Sequence, residues 1–141
     1  FEEIEILPVA VDEERNLSGS ERILFVDDEP AATELAGYLL SAQGYEVESH
    51  TSSLAALEAF RDHPQEFDLV ITDQTMPGMT GDLLAREMLK IRADIPIVLC
   101  TGYSQRINEH SAKSIGVREF VMKPLVANEL LKVVRRALDG E

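Results

Sequence analysis

Short apolar runs alternate with longer segments of helical period along this chain. The runs are Ile23-Leu24-Phe25-Val26, Glu46-Val47-Glu48, Leu69-Val70-Ile71, Ile97-Val98-Leu99-Cys100 and Phe120-Val121. The first, third and fourth are continuous and rich in β-branched residues, which predicts strands buried on both faces of a helix-covered parallel sheet. The second alternates with glutamates and belongs nearer a sheet edge. Between the runs, helices are predicted at 31–43, 53–62, 82–92, 105–114 and 127–138. Their expected inward stripes are Leu35, Leu39 and Ala42; Leu54, Leu57 and Phe60; Leu84, Met88 and Ile91; Ile107, Ser111 and Ile115; and Leu130, Leu131, Val134 and Leu138. Gly44 is placed to close the first helix with a positive φ. The fourth helix is the most weakly amphipathic and so a candidate for an element that moves. Alternating strands and helices predict an α/β, doubly wound sheet with right-handed crossovers. Ligands in such sheets bind beside the carboxyl ends of the strands.

That rule selects the chemistry. Asp27, Asp28 and Glu29 follow the first strand, Asp73 the third, Thr101 and Gly102 the fourth, and Lys123 and Pro124 the fifth. Carboxylates, a hydroxyl and an ammonium therefore converge on one sheet edge. A hard dication such as Mg²⁺ prefers oxygen ligands. Asp28 and Asp73 are candidate direct ligands, Asp27 acts directly or through water, and the backbone carbonyl near Thr75 can add another. With its charge balanced, Asp73 can attack phosphorus as a nucleophile. Lys123 offers a point charge to the transferred group, Thr101 a hydrogen bond, and Gly102 room and a backbone N–H.

Charge sharpens the class of partner. The 141 residues carry a formal net charge of −13. A field of that sign repels nucleic acid and anionic membrane and suits cations and basic protein surfaces. No apolar run approaches the roughly 18 residues of a membrane span. The single cysteine, Cys100, lies in an apolar run and reads as a buried small hydrophobe in a reducing, cytoplasmic setting.

Taken together, Ile23-Leu24-Phe25-Val26-Asp27-Asp28-Glu29-Pro30, Asp73-Gln74-Thr75-Met76-Pro77-Gly78-Met79-Thr80-Gly81, Thr101-Gly102 and Lys123-Pro124 resemble the receiver domain of two-component response regulators, over about residues 21–139. The resemblance implies a five-stranded flavodoxin-like sheet of order 2-1-3-4-5 with five helices. It implies that Asp73 accepts phosphate from a histidine kinase or histidine phosphotransfer domain, and that the acidic pair holds Mg²⁺. Thr101 and Phe120 would report phosphorylation, Thr101 moving toward the phosphoryl group and Phe120 turning inward. The same pattern suggests a cis Lys123-Pro124 bond. There are departures. Phe120 lacks the hydroxyl of the commoner tyrosine. Val126 stands where a capping Ser, Thr or Asp is frequent. Thr75 and Tyr103 are neither acidic nor amide, so they should position water poorly and leave the phosphoryl group long-lived.

Phe1 to Pro8 reads as a strand ended by proline and is similar to the last strand of a histidine-kinase ATP-binding domain. Residues 9–21 read as an acidic linker, and residues 22–139 as the receiver. Leu99-Cys100-Thr101-Gly102-Tyr103-Ser104 looks like receivers fused to kinases. The expected parent is thus a hybrid histidine kinase, one that can be membrane-anchored, with this domain a monomer or weak dimer. Rival readings are a stand-alone or degenerate receiver acting as an interaction module, a haloacid-dehalogenase-type Mg²⁺ phosphohydrolase, and a flavodoxin-like nucleotide binder. The phosphohydrolase needs Asp-x-Asp after the first strand, and Asp27-Asp28-Glu29 lacks it. The nucleotide binder needs a Gly- or Ser/Thr-rich phosphate loop, which these acids would repel.

Overall fold

A computed structural model describes residues 17–102, 109–123 and 126–140. Five parallel strands, β1 (Arg22–Val26), β2 (Glu46–His50), β3 (Leu69–Asp73), β4 (Ile97–Thr101) and β5 (Glu119–Met122), form one sheet in the order β2-β1-β3-β4-β5. Helices α1 (Pro30–Ala42), α2 (Ser53–Asp62), α3 (Gly81–Ile91) and α4 (Glu109–Ile115) fill the four crossovers, α5 (Ala127–Asp139) follows β5, and a short 3₁₀ turn lies at Pro64–Glu66. The expected α/β class, strand order and edge position of β2 are all present.

The strand period of two divides the core. Ile23, Phe25, Val98 and Cys100 point toward the layer shared with α1 and α5. Leu24, Val26, Ile97 and Leu99 point toward the layer shared with α2, α3 and α4. The α5 stripe is as expected, with Leu130, Leu131 and Val134 fully buried and Leu138 packed at its margin. Three other stripes are corrected. In α1 the buried residues are Ala32, Thr33, Ala36 and Leu40, while Leu35 is exposed and Ala42 lies at the surface. The small residues let the helix backbone approach the sheet, so the seam forms one residue round from the bulkier apolar row. In α2, Leu57 and Phe60 are buried, but Leu54 is exposed in the first turn. In α4, Ala112 makes the buried contact, and Ile107 lies outside the described residues.

Local chemistry sets the helix ends. Pro30 opens α1, and Gly44 follows it at φ +103°. A Cβ on Gly44 would overlap the carbonyl oxygen of Gly19, so glycine is required by space as well as by dihedral. Ser52 caps α2 by accepting the Ala55 N–H at 3.2 Å. Val126 begins α5 with no side-chain cap, as its sequence implies. At the other end Gly140 closes α5 in the left-handed region.

The end of the expected linker is packed rather than free. Leu17 is 2% exposed and joins the α1–α5 layer. The Tyr45 hydroxyl donates to the Leu17 carbonyl at 3.1 Å, and the Gly19 N–H donates to Gln43 at 3.0 Å. Glu21 is held by Arg135 at 3.0 Å. An acidic average over residues 9–21 hides the one leucine that finds an apolar seat. The strand expected at residues 1–8 lies outside the described residues. Among the described residues, no helix is long and apolar enough to cross a membrane.

Candidate functional site

All strands are parallel, so their carboxyl ends share one edge, and the main chain ties the ends of neighbouring strands together. Asp27 N–H donates to the His50 carbonyl at 3.2 Å, Gln74 N–H to Cys100 at 2.9 Å, and Lys123 N–H to Thr101 at 2.7 Å. The side chains leaving these points are therefore fixed relative to one another.

Asp27 and Asp73 are each 5% exposed, while Asp28 is exposed. Ligand oxygens of the three carboxylates lie within 4.8 Å of one another. The Lys123 ammonium is 2.8 Å from Asp73 Oδ1 and 3.6 Å from Asp27 Oδ2. Asp27 Oδ1 also accepts the Glu29 N–H at 3.0 Å. One ammonium cannot balance this much buried negative charge. Burial pushes the Asp73 carboxyl up to about 6, with Asp27 and Asp28 adding to the rise and Lys123 opposing it. Asp27 is raised too, chiefly by burial, with the Glu29 N–H and Lys123 acting against the rise. Burial alone would lower Lys123, but Asp73 and Asp27 outweigh it and raise the ammonium. Three clustered carboxylates, all hard oxygen donors, set against one ammonium fit a small dication.

Thr101 is fully buried at the end of β4, its hydroxyl facing the Gly102 carbonyl at 3.4 Å. Phe120 is half-buried, paired in register with Leu99 and packed against the α2–α4 layer. Thr75 is exposed in the loop after β3, and Gly102 is half-buried after β4. The structure thus brings together Asp27, Asp28, Asp73 and Lys123, and sets Thr101 on the neighbouring strand end. Tyr103 and Pro124 lie outside the described residues. Cys100, beside Asp73 in register, is 3% exposed, and its thiol is pushed up to about 12 by burial first and by Asp73 second. It behaves as the expected hydrophobe.

Sequence reasoning missed a polar group at the base of the site. The Gln74 side chain is nearly buried and turned back onto α3. Its Oε1 accepts the Asp82 N–H at 2.9 Å, and its Nε2 donates to Asp82 Oδ1 at 3.0 Å. Thr80 Oγ1 donates to the same Asp82 oxygen. Three polar residues across a turn have no period, so no pattern pointed to them.

A family model described as "Response regulator receiver domain" matches residues 23–135. The chain is 31% identical over 119 residues to the chemotaxis protein CheY of Bacillus subtilis, covering 84% of this chain and 98% of that protein. It is 31% identical over 139 residues to the sensor kinase CckA of Brucella abortus, covering 95% of this chain but only 15% of that kinase. Among solved structures it is similar to the response regulator protein TrrA of Thermotoga maritima in complex with Mg²⁺-BeF, at 36% identity and a TM-score of 0.74, covering 84% of this chain and 99% of that one.

Proposed function

This chain belongs to the response regulator receiver domain family, and from that footing we propose that Asp73 is the side chain that accepts the phosphoryl group. Receiver domains act in two-component phosphorelays with histidine kinases or phosphotransfer proteins, and this one is a phosphoacceptor module of that kind. The observation that carries the assignment to Asp73 is its buried carboxylate, clustered with Asp27 and Asp28 and 2.8 Å from the Lys123 ammonium at the common strand edge.

Asp27, Asp28 and Asp73, with the Thr75 carbonyl, would hold Mg²⁺, which when bound neutralises the carboxylates and the phosphoryl oxygens. The rest is work for the chain's own groups. An Asp73 oxygen forms the new P–O bond as the donor's P–N bond breaks, and the histidine nitrogen keeps the electron pair. Lys123 pairs with the anion that develops on the phosphoryl group, and the buried Thr101 hydroxyl supplies a hydrogen bond to it. Thr101 and Phe120 then form the two-position element that reads the change. The donor is a phosphohistidine on a kinase or phosphotransfer domain in the cytoplasm, met by protein contact and not through nucleic acid or membrane. The similarity to a sensor kinase extends over 139 residues, beyond the 23–135 of the receiver match, and supports a hybrid kinase as parent. On that reading residues 1–8 close the kinase's ATP-binding domain.

Incubation with acetyl phosphate and Mg²⁺ tests the assignment by intact-mass spectrometry. Wild type should gain one phosphoryl group, Asp73→Asn none, and EDTA should prevent labelling. Equal labelling of both proteins overturns it. Thr75 and Tyr103 offer no acid or amide to orient water, so the label should outlast minutes in purified protein; decay within seconds refutes that part.

A further inference from the structure

The loop from Thr75 to Thr80 leaves β3 and returns at Gly81, and its neck is closed twice. The Gly81 N–H donates to the Gln74 carbonyl at 2.9 Å, and the Gln74 amide grips Asp82 at two points, 2.9 and 3.0 Å. Gln74 is itself pinned to β4 through its N–H and the Cys100 carbonyl at 2.9 Å. Burial works against ionisation of Asp82, yet the Thr80 hydroxyl and Gln74 amide outweigh it and hold that carboxyl below its ordinary range. The acceptor is therefore a full carboxylate, and its hydrogen bonds are the stronger, charge-assisted kind. Thr75 follows Gln74 directly, so these bonds fix the Gln74–Thr75 peptide from which the Thr75 carbonyl, one peptide further along, is set out.

We infer that Gln74 is a positioning residue for the cation site, acting through the Gln74–Asp82 amide–carboxylate grip that fixes the loop carrying the Thr75 carbonyl. The inference rests on the metal assignment above. The alternative is a brace that stabilises the fold and leaves the site untouched. The two differ in what they do to cation affinity at equal folding.

Mn²⁺, which shares the oxygen-ligand preference of Mg²⁺, serves as the probe, with free ion counted by electron paramagnetic resonance. Wild type should bind and Asp73→Asn should bind far more weakly; if both bind alike, the metal assignment itself fails. Gln74→Met removes both side-chain bonds without adding charge and should weaken Mn²⁺ roughly tenfold, as loss of ligand-orienting partners does. Gln74→Glu combined with Asp82→Asn exchanges donor and acceptor, preserves net charge, and should restore affinity to within about twofold of wild type, against that roughly tenfold loss. If wild type binds and Gln74→Met binds equally well, the positioning role is overturned while the metal assignment stands. If Gln74→Met does not fold, the exchanged pair decides alone: wild-type affinity supports the grip, and a folded pair with the weakened affinity refutes it.

Discussion

Asp73→Asn is expected to make the metal-free protein more stable at pH 7, by about 1–3 kcal/mol. The cause is the unbalanced charge at the strand edge. Folding buries Asp73 next to Asp27 and Asp28 and raises its carboxyl from 3.8 to about 6. A rise of that size, in which the pull of Lys123 is already set against burial, corresponds to at most about 3 kcal/mol. The sign follows from linkage. A carboxyl raised on folding favours the native state while it is protonated, so its contribution is complete below pH 3.8 and is lost as pH climbs through about 6. Wild type should therefore gain on Asp73→Asn as pH falls from 7 toward 4, and the gap should be widest above 6. Saturating Mg²⁺ should narrow or reverse it, because a ligand that binds only the native wild type stabilises it by mass action. Urea denaturation of both proteins at pH 7 and pH 4.5, in EDTA and in Mg²⁺, reads all three effects. A less stable Asp73→Asn protein at pH 7 in EDTA contradicts the argument.

The residues that carry this cost were legible in the sequence because of the sheet's topology. Parallel strands share one end, so Asp27, Asp28, Asp73, Thr101 and Lys123 could be assembled from strand assignment alone, without knowing any helix orientation. The helix faces were less legible for the same physical reason that they are less constrained. A row such as Leu35 and Leu39 marks a helix, but Ala32, Ala36 and Leu40 mark how near its backbone comes to the sheet. Only packing decides between adjacent stripes. Polar groups that act across long separations left no trace. Arg135 lies 114 residues from Glu21 and 90 from Tyr45, yet it joins both and thereby fastens Leu17–Glu21 to α5. Gln74 and Asp82 are only eight residues apart, but their bonds depend on a turn whose shape no apolar period records.

Gly81→Ala should be the most damaging single-methyl change near the site, costing about 3 kcal/mol or more. Alanine ordinarily favours a helix over glycine by about 1 kcal/mol, so propensity alone predicts the opposite. Gly81 opens α3 directly against the end of β3, however. A Cβ there would overlap the Asp73 carbonyl oxygen and come within 2.9 Å of Leu99 Cδ1. Leucine could rotate, but the carbonyl belongs to a central strand and cannot give without moving Asp73. Relief by shifting α3 would instead break the Gly81–Gln74 bond and the Gln74–Asp82 grip. Either relaxation alters the peptide that carries the phosphoacceptor, so phosphorylation by acetyl phosphate should slow along with the loss of stability. Gly37→Ala supplies the control. Gly37 lies inside α1 with nothing near the position of an added Cβ, and alanine there should stabilise by about 0.5–1 kcal/mol. Equilibrium unfolding of the two variants should thus give shifts of opposite sign. Matching shifts would mean that helix propensity, not the close approach of α3 to the Asp73 backbone, governs this turn.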